Sequence, residues 1–156
     1  MNAKPYLRIV LLIGFILTTL VLSACGGNEN DAAAEPDLSV ETQVVSVAGG
    51  GSYTDVTPAG LSLMLANKDF PLINVHVPYE GEITKTDAFI VYSEISQHLD
   101  QLPANKDEQI VLYCRSGNMS TQAARELAQL GYTNVWNLDG GMIAWQAAGY
   151  ALTDNP

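Results

Sequence analysis

The stretch Gln109-Ile110-Val111-Leu112-Tyr113-Cys114-Arg115-Ser116-Gly117-Asn118-Met119-Ser120 decides the fold. Its first five residues are the clearest strand in the chain, a short apolar run of the kind buried on both faces. A tight loop containing Gly117 follows. Ser120 to Leu130 then reads as a helix, ended by Gly131 at the C-cap position. Strand, loop and helix make one unit of an α/β domain.

The same alternation continues on both sides. Upstream, Thr57-Pro58 opens a helix, with Thr as N-cap and Pro in the first turn. Leu61, Met64 and Leu65 share its face up to about Asn67. Pro71 to Val75 reads as a buried strand and Ala88 to Val91 as a second short one. Ser93 starts a helix containing Ile95, His98, Leu99 and Leu102, which Pro103 ends. Downstream, Asn134 to Leu138 is a last strand, and Met142 to Ala148 a short terminal helix closed by Gly149. Strands alternating with helices predict an α/β domain of three layers, a central, mainly parallel sheet with helices on both faces. Ligands in such sheets bind beyond the carboxyl ends of the strands. Cys114 falls there.

A strand, a glycine loop and a helix N-terminus form a cradle of backbone N–H groups, to which the helix dipole adds partial positive charge. A thiolate is stabilised in such a place, and Arg115 adds a positive charge beside it. Two chemistries suit the cradle. A thiolate can attack phosphorus, or it can attack a sulfane sulfur and become a persulfide. The competing reading is an inert cysteine at a strand end. A thiol walled off from solvent, with the amides turned away from it, would be that. The position of Cys114 at the mouth of the loop argues for reactivity.

The chain has 156 residues, enough for one ordinary domain, with 47% hydrophobic and 15% charged residues. Its formal net charge is -10, from 7 Lys+Arg and 17 Asp+Glu. Lys4 and Arg8, two of those seven basic residues, precede the apolar run Ile9 to Leu22. So acidic a body repels nucleic acid, which excludes that partner. The histidines are His76 and His98, on different elements, with no ligand-spaced pair, so no metal is expected. No phosphate-loop lysine or dinucleotide fingerprint appears, and no cofactor is expected. His98, Trp136 and Trp145 read as packing residues. His76 follows a strand and could face the mouth of the site.

The N-terminus has the architecture of an export signal: a basic start, an apolar run too short for an ordinary membrane span, and small residues before Cys25. Leu22-Ser23-Ala24-Cys25 resembles a bacterial lipobox. That resemblance implies cleavage before Cys25 and lipidation of its thiol, leaving Cys114 without a disulfide partner. The expected organisation is a lipoprotein signal peptide over 1–24, a lipidated Cys25 and flexible tether over 25–52, and one domain over 53–156. In the tether, Val44, Val45 and Val47 are expected as coil rather than strand. The product would be exported and membrane-anchored, facing the periplasm or the cell exterior.

Val111 to Ser120 also resembles the active-site strand and loop of the rhodanese family. Leu72-Ile73-Asn74-Val75-His76 resembles that family's early strand. Gly131-Tyr132, Asn134 to Gly141 and Ala144-Trp145 resemble its closing segment. The likeness runs from about Val56 to Gly149. It implies a sulfurtransferase in which Cys114 carries a persulfide. The loop Arg115, Ser116, Gly117, Asn118 and Met119 would supply N–H donors, and Ser120 one further hydrogen bond. The implied partners are a small sulfane-sulfur donor and a thiol, cyanide or protein acceptor. Three departures stand out: Asn74 for a commoner Asp, Met119 for a common Arg, and Tyr79-Glu80-Gly81-Glu82-Ile83 for the usual stretch with a histidine. Phosphatase relatives need an arginine clamp where this chain has Ser120, and Arg125 lies too far along the helix. The remaining alternative is a non-catalytic binding or sulfur-carrier module.

Overall fold

The computed structural model describes residues 39–154. The signal peptide expected over 1–24, Cys25 and the start of the tether lie outside the described residues. The ordered elements are strands β1 (Thr42–Ser46), β2 (Ser52–Val56), β3 (Leu72–Asn74), β4 (Ala88–Phe89), β5 (Ile110–Tyr113) and β6 (Val135–Leu138), with helices α1 (Pro58–Ala66), α2 (Asn118–Gln129) and α3 (Gly141–Ala147). They form one six-stranded sheet in the order β1-β2-β6-β5-β3-β4. The β1–β2 pair is antiparallel and every other pairing is parallel. The expected α/β architecture is therefore the observed one.

Strand alternation builds the layers. Ile110 and Leu112 of β5 pack with Ala123, Ala124 and Leu127 of α2 and with Ile95. Val111 and Tyr113 face the other way, toward Leu61 and Leu65 of α1 and Met142 and Trp145 of α3. All four β5 residues and all three β3 residues are buried, as central parallel strands require. Thr57 caps α1 as expected, its Oγ1 accepting from the Gly60 N–H at 3.1 Å.

Two expectations are corrected. Residues 42–46, expected within the tether, form edge strand β1, paired with β2 from Thr42↔Val56 to Ser46↔Ser52. Gly49, Gly50 and Gly51, which looked like linker, make the hairpin turn with positive φ. Tight packing adds a second constraint, because a Cβ on Gly51 would stand 2.7 Å from the Ala128 carbonyl oxygen. Backbone pairing with β2 and the packing of Val45 and Val47 on the core hold β1, while Val44 remains 69% exposed, so its valines are too sparse a signal to outweigh the polar and glycine-rich flanks. The helix expected from Ser93 is instead two 3-10 turns, Tyr92–Gln97 and Leu99–Gln101. The chain leaves helical geometry at His98 (φ -119, ψ 34). Ser93, Ser96, His98 and Asp100 have weak α propensity, and so short a segment lacks the cooperativity to offset it. Ile95 and Leu102 still reach the core.

Candidate active site

Cys114 is the first residue beyond β5. Two donors converge on its sulfur. The Gly117 N–H points at Sγ from 3.1 Å and the Ser120 hydroxyl lies 3.4 Å away. Ser120 is fully buried, and its Oγ also stands 3.2 Å from the Gly117 carbonyl oxygen. A hydroxyl has one proton, so an anionic sulfur would draw it away from that neutral carbonyl. Gly117 adopts φ 89 and forms the N-cap of α2 without any side-chain cap. The first amides of α2 thus keep their polarity at the sulfur end of the helix.

The loop is held from outside by α3. The Met142 and Ile143 amides donate to the carbonyl oxygens of Cys114 and Arg115, each at 2.9 Å. This contact requires Gly141 (φ 58), where any Cβ would overlap the Cys114 carbonyl oxygen. With those carbonyls satisfied by α3, the Gly117 amide is left to face inward. The Gly140-Gly141 pair is accordingly part of the site.

The other expected loop residues divide by role. Arg115, Ser116 and Asn118 are exposed, and none of their side chains bonds to the sulfur. Met119 is half-buried and packs against the cluster that contains Cys114. Among the described contacts, Gly117 alone gives its amide to Sγ. Cys114 itself is only 1% exposed. The thiol is shut from bulk solvent while an amide faces it.

Glu80, which the sequence offers only as part of a departure, bridges the mouth. Its Oε2 accepts from Arg115 Nε at 2.9 Å and stands 3.1 Å from His76 Nε2. His76 is buried at the end of β3, and its Nδ1 has no hydrogen-bond partner among the described residues. A carboxylate four residues after a strand-end histidine is the available signal. Asn74 explains its own departure: its Nδ2 donates to the Gly81 carbonyl at 3.1 Å while its Oδ1 accepts from the His76 amide at 3.0 Å. A carboxylate cannot make the first bond, so the amide fixes the corner that presents Glu80.

Beside the cysteine, the Tyr113 hydroxyl accepts from the Ile83 amide at 3.1 Å and lies 2.7 Å from Thr86 Oγ1. Thr86 spends its proton on the Ile83 carbonyl, so Tyr113 donates to Thr86. Burial pushes the phenol up to about 12, against the smaller opposing effect of the Thr86 bond. Among the described residues the His98 side chain pairs with Gln101 and Glu94, away from the site. The Trp136 and Trp145 indoles donate to Asn134 and to the Ala151 carbonyl, a packing role. Among the described residues no group of His, Cys, Asp and Glu is arranged to hold a metal, and no helix is long and apolar enough to cross a membrane.

Residues 67–148 match the model of the rhodanese-like domain. The chain belongs to that family. This rhodanese-like domain is 37% identical over 101 residues to a sulfurtransferase of Allochromatium vinosum, covering 63% of this chain and 92% of that one. It is 26% identical to a tRNA uridine(34) hydroxylase of Escherichia coli over 68% of this chain but only 31% of the hydroxylase. Among solved structures, a rhodanese-related protein of Thermoplasma volcanium superposes with a TM-score of 0.56 at 27% identity, covering 65% of this chain and 98% of the other. A rhodanese-like domain protein of Staphylococcus aureus gives 0.51 at 25%, covering 58% and 89%. Every segment of the site described above, from Asn74 to Trp145, lies inside the matched rhodanese-like region.

Proposed function

We propose that this rhodanese-like domain is a sulfurtransferase that carries a sulfane sulfur on Cys114. The observation that carries the reading is the pair of donors, the Gly117 amide and the Ser120 hydroxyl, aimed at one sulfur. In the first step the Cys114 thiolate attacks the outer sulfur of a donor. The Cys114–sulfur bond forms, the donor's own S–S bond breaks, and the donor's inner group leaves with the electron pair. In the second step an acceptor thiolate or cyanide attacks the carried sulfur and expels the Cys114 thiolate. No net oxidation occurs, and no cofactor is needed. The protein's part is to hold negative charge on sulfur through both steps with fixed donors. A small donor and a small or protein-borne thiol acceptor are the proposed partners.

The test is intact mass spectrometry of the full chain after exposure to thiosulfate, polysulfide or glutathione persulfide. With Cys25 lipidated or replaced by Ala, one added sulfur per chain is expected, absent when Cys114→Ser is added, whose fold is retained because Ser replaces Cys nearly isosterically. Loading that persists in Cys114→Ser removes the cysteine from the mechanism. A second reading, a non-catalytic module, is favoured by the 1% exposure of Cys114. It predicts that iodoacetamide leaves the native thiol unmodified and that no donor loads it.

The N-terminal segment supports a further part of the proposal. Cys25 becomes the lipidated first residue of the mature protein, several acyl chains holding the domain at a bacterial membrane, facing the periplasm or the cell exterior. Cys25→Ala should remain unprocessed and fail to incorporate labelled palmitate in a bacterial host. Normal processing of that variant would count against the anchor.

A further inference from the structure

We infer that Glu80 sets the charge of the sulfur donor, and that the donor is the persulfide of a small thiol rather than a dianion such as thiosulfate. The inference rests on the sulfurtransferase reading above. The segments that meet at the site are 74–92, 113–121 and 139–145. Their basic residues are Lys85 and Arg115, against the carboxylates Glu80, Glu82, Asp87 and Asp139. Lys85 is committed elsewhere, its Nζ donating to the Leu65 carbonyl, which leaves Arg115 as the one cation beside the sulfur loop. Glu80 occupies that one cation, accepting from its Nε at 2.9 Å, and through the same oxygen meets His76. Met119, in the first turn of α2, is apolar, and the exposed Ser116 and Asn118 are neutral. Around this mouth the whole chain carries a formal net charge of -10.

The two donors place different demands on such a site. Thiosulfate brings two negative charges to a thiolate that already carries one, and its leaving group, sulfite, departs as a dianion. That encounter needs an uncommitted cation at the mouth. A protonated persulfide, R–S–SH, is neutral at its reacting end. The thiolate attacks its outer sulfur, which keeps its proton, and one thiolate, R–S⁻, leaves as one is consumed. The site holds one negative charge at the reacting sulfurs throughout this step, against three with thiosulfate, so the Gly117 and Ser120 donors suffice. Glu80 lies outside the bond-making atoms and acts by holding Arg115, which makes it a specificity-determining residue.

The experiment measures second-order rates of sulfur loading on Cys114 in the reduced full chain, with the persulfide of an uncharged thiol (N-acetylcysteamine) and with thiosulfate as probes, at low and high KCl. The wild type should load from the persulfide at least about tenfold faster, the order that one uncompensated field at a site mouth produces. High salt should narrow that gap by speeding the thiosulfate reaction, since screening weakens repulsion. Glu80→Gln should shift the ratio of the two rates toward thiosulfate by about fivefold, as expected for one partly screened charge. Equal wild-type rates, or a gap that salt leaves unmoved, would overturn the inference while leaving the sulfurtransferase reading intact. So would an unmoved ratio in a folded Glu80→Gln chain. The salt series uses the wild type and decides the matter if the variant fails to fold. A wild type that accepts sulfur from neither probe would overturn both readings together.

Discussion

Gly141→Ala tests whether the helix after β6 shapes the sulfur cradle. Gly141 has φ 58, and an added Cβ would overlap the Cys114 carbonyl oxygen and stand 2.8 Å from the Arg115 carbonyl oxygen. Both contacts are with backbone, so no flexible side chain can yield. A left-handed conformation for alanine costs about 1–2 kcal/mol. Forcing the loop and α3 apart adds about 1–3 kcal/mol of overpacking. Two hydrogen bonds, Met142 N–H to Cys114 O and Ile143 N–H to Arg115 O, are lost with the contact. At about 0.5–1.5 kcal/mol each, they bring the expected loss to roughly 3–8 kcal/mol. The native state of a typical domain is stable by only about 5–15 kcal/mol, so the variant should sit near the edge of folding. Gly149→Ala supplies the control. Gly149 has φ 90, and nothing lies within 4 Å of the point where its methyl group would stand. It should therefore lose only the roughly 1–2 kcal/mol that the left-handed backbone costs an alanine. Urea unfolding followed by circular dichroism reads both variants, and sulfur loading of Cys114 reads the cradle. If Gly141→Ala loses no more stability than Gly149→Ala and still loads sulfur, α3 does not hold the loop and the account of the site is wrong.

Ser120→Ala removes the second donor to the sulfur without touching the first; loading should slow by about 10–100-fold, the worth of a hydrogen bond to a charged group, with Gly117 still in place. A loading rate matching wild type would show that the hydroxyl bonds only to the Gly117 carbonyl. Tyr113 predicts an alkaline limit. Its phenol, pushed up from 10.0 to about 12 by burial, holds its proton more tightly folded than unfolded. The stability it contributes is therefore complete below pH 10 and is lost as pH rises through about 12, a fall of about 2–3 kcal/mol. Tyr113→Phe should flatten that decline in urea unfolding measured between those limits; parallel declines in the two proteins would remove Tyr113 as its source.

Much of the site can be read from residue order. The strand into Cys114, the glycine loop and the helix after it are contiguous, so local patterning alone places the thiol beside Gly117 and Ser120. The division of labour among Arg115, Ser116 and Asn118 cannot be read that way. Which amides turn inward depends on α3, and α3 reaches the loop only because two glycines permit it. Glu80 escapes a local reading for the same reason. It is close to His76 in sequence but distant from Arg115, and charge pairs across 35 positions leave no local pattern. β1 escapes it because an edge strand with two valines among polar residues carries only a weak hydrophobic pattern, and much of its stability comes from pairing with β2.

The order of apolar and polar residues determined the alternation of strands and helices, the parallel centre of the sheet and the place of Cys114 at a carboxyl edge. Those follow from burial, which acts residue by residue along the chain. Tertiary structure alone decided the direction of the Gly117 amide, the closure of the thiol from solvent and the capture of Arg115 by Glu80. Each of these depends on backbone and charges brought together from distant segments, and their energies exist only once the sheet has assembled.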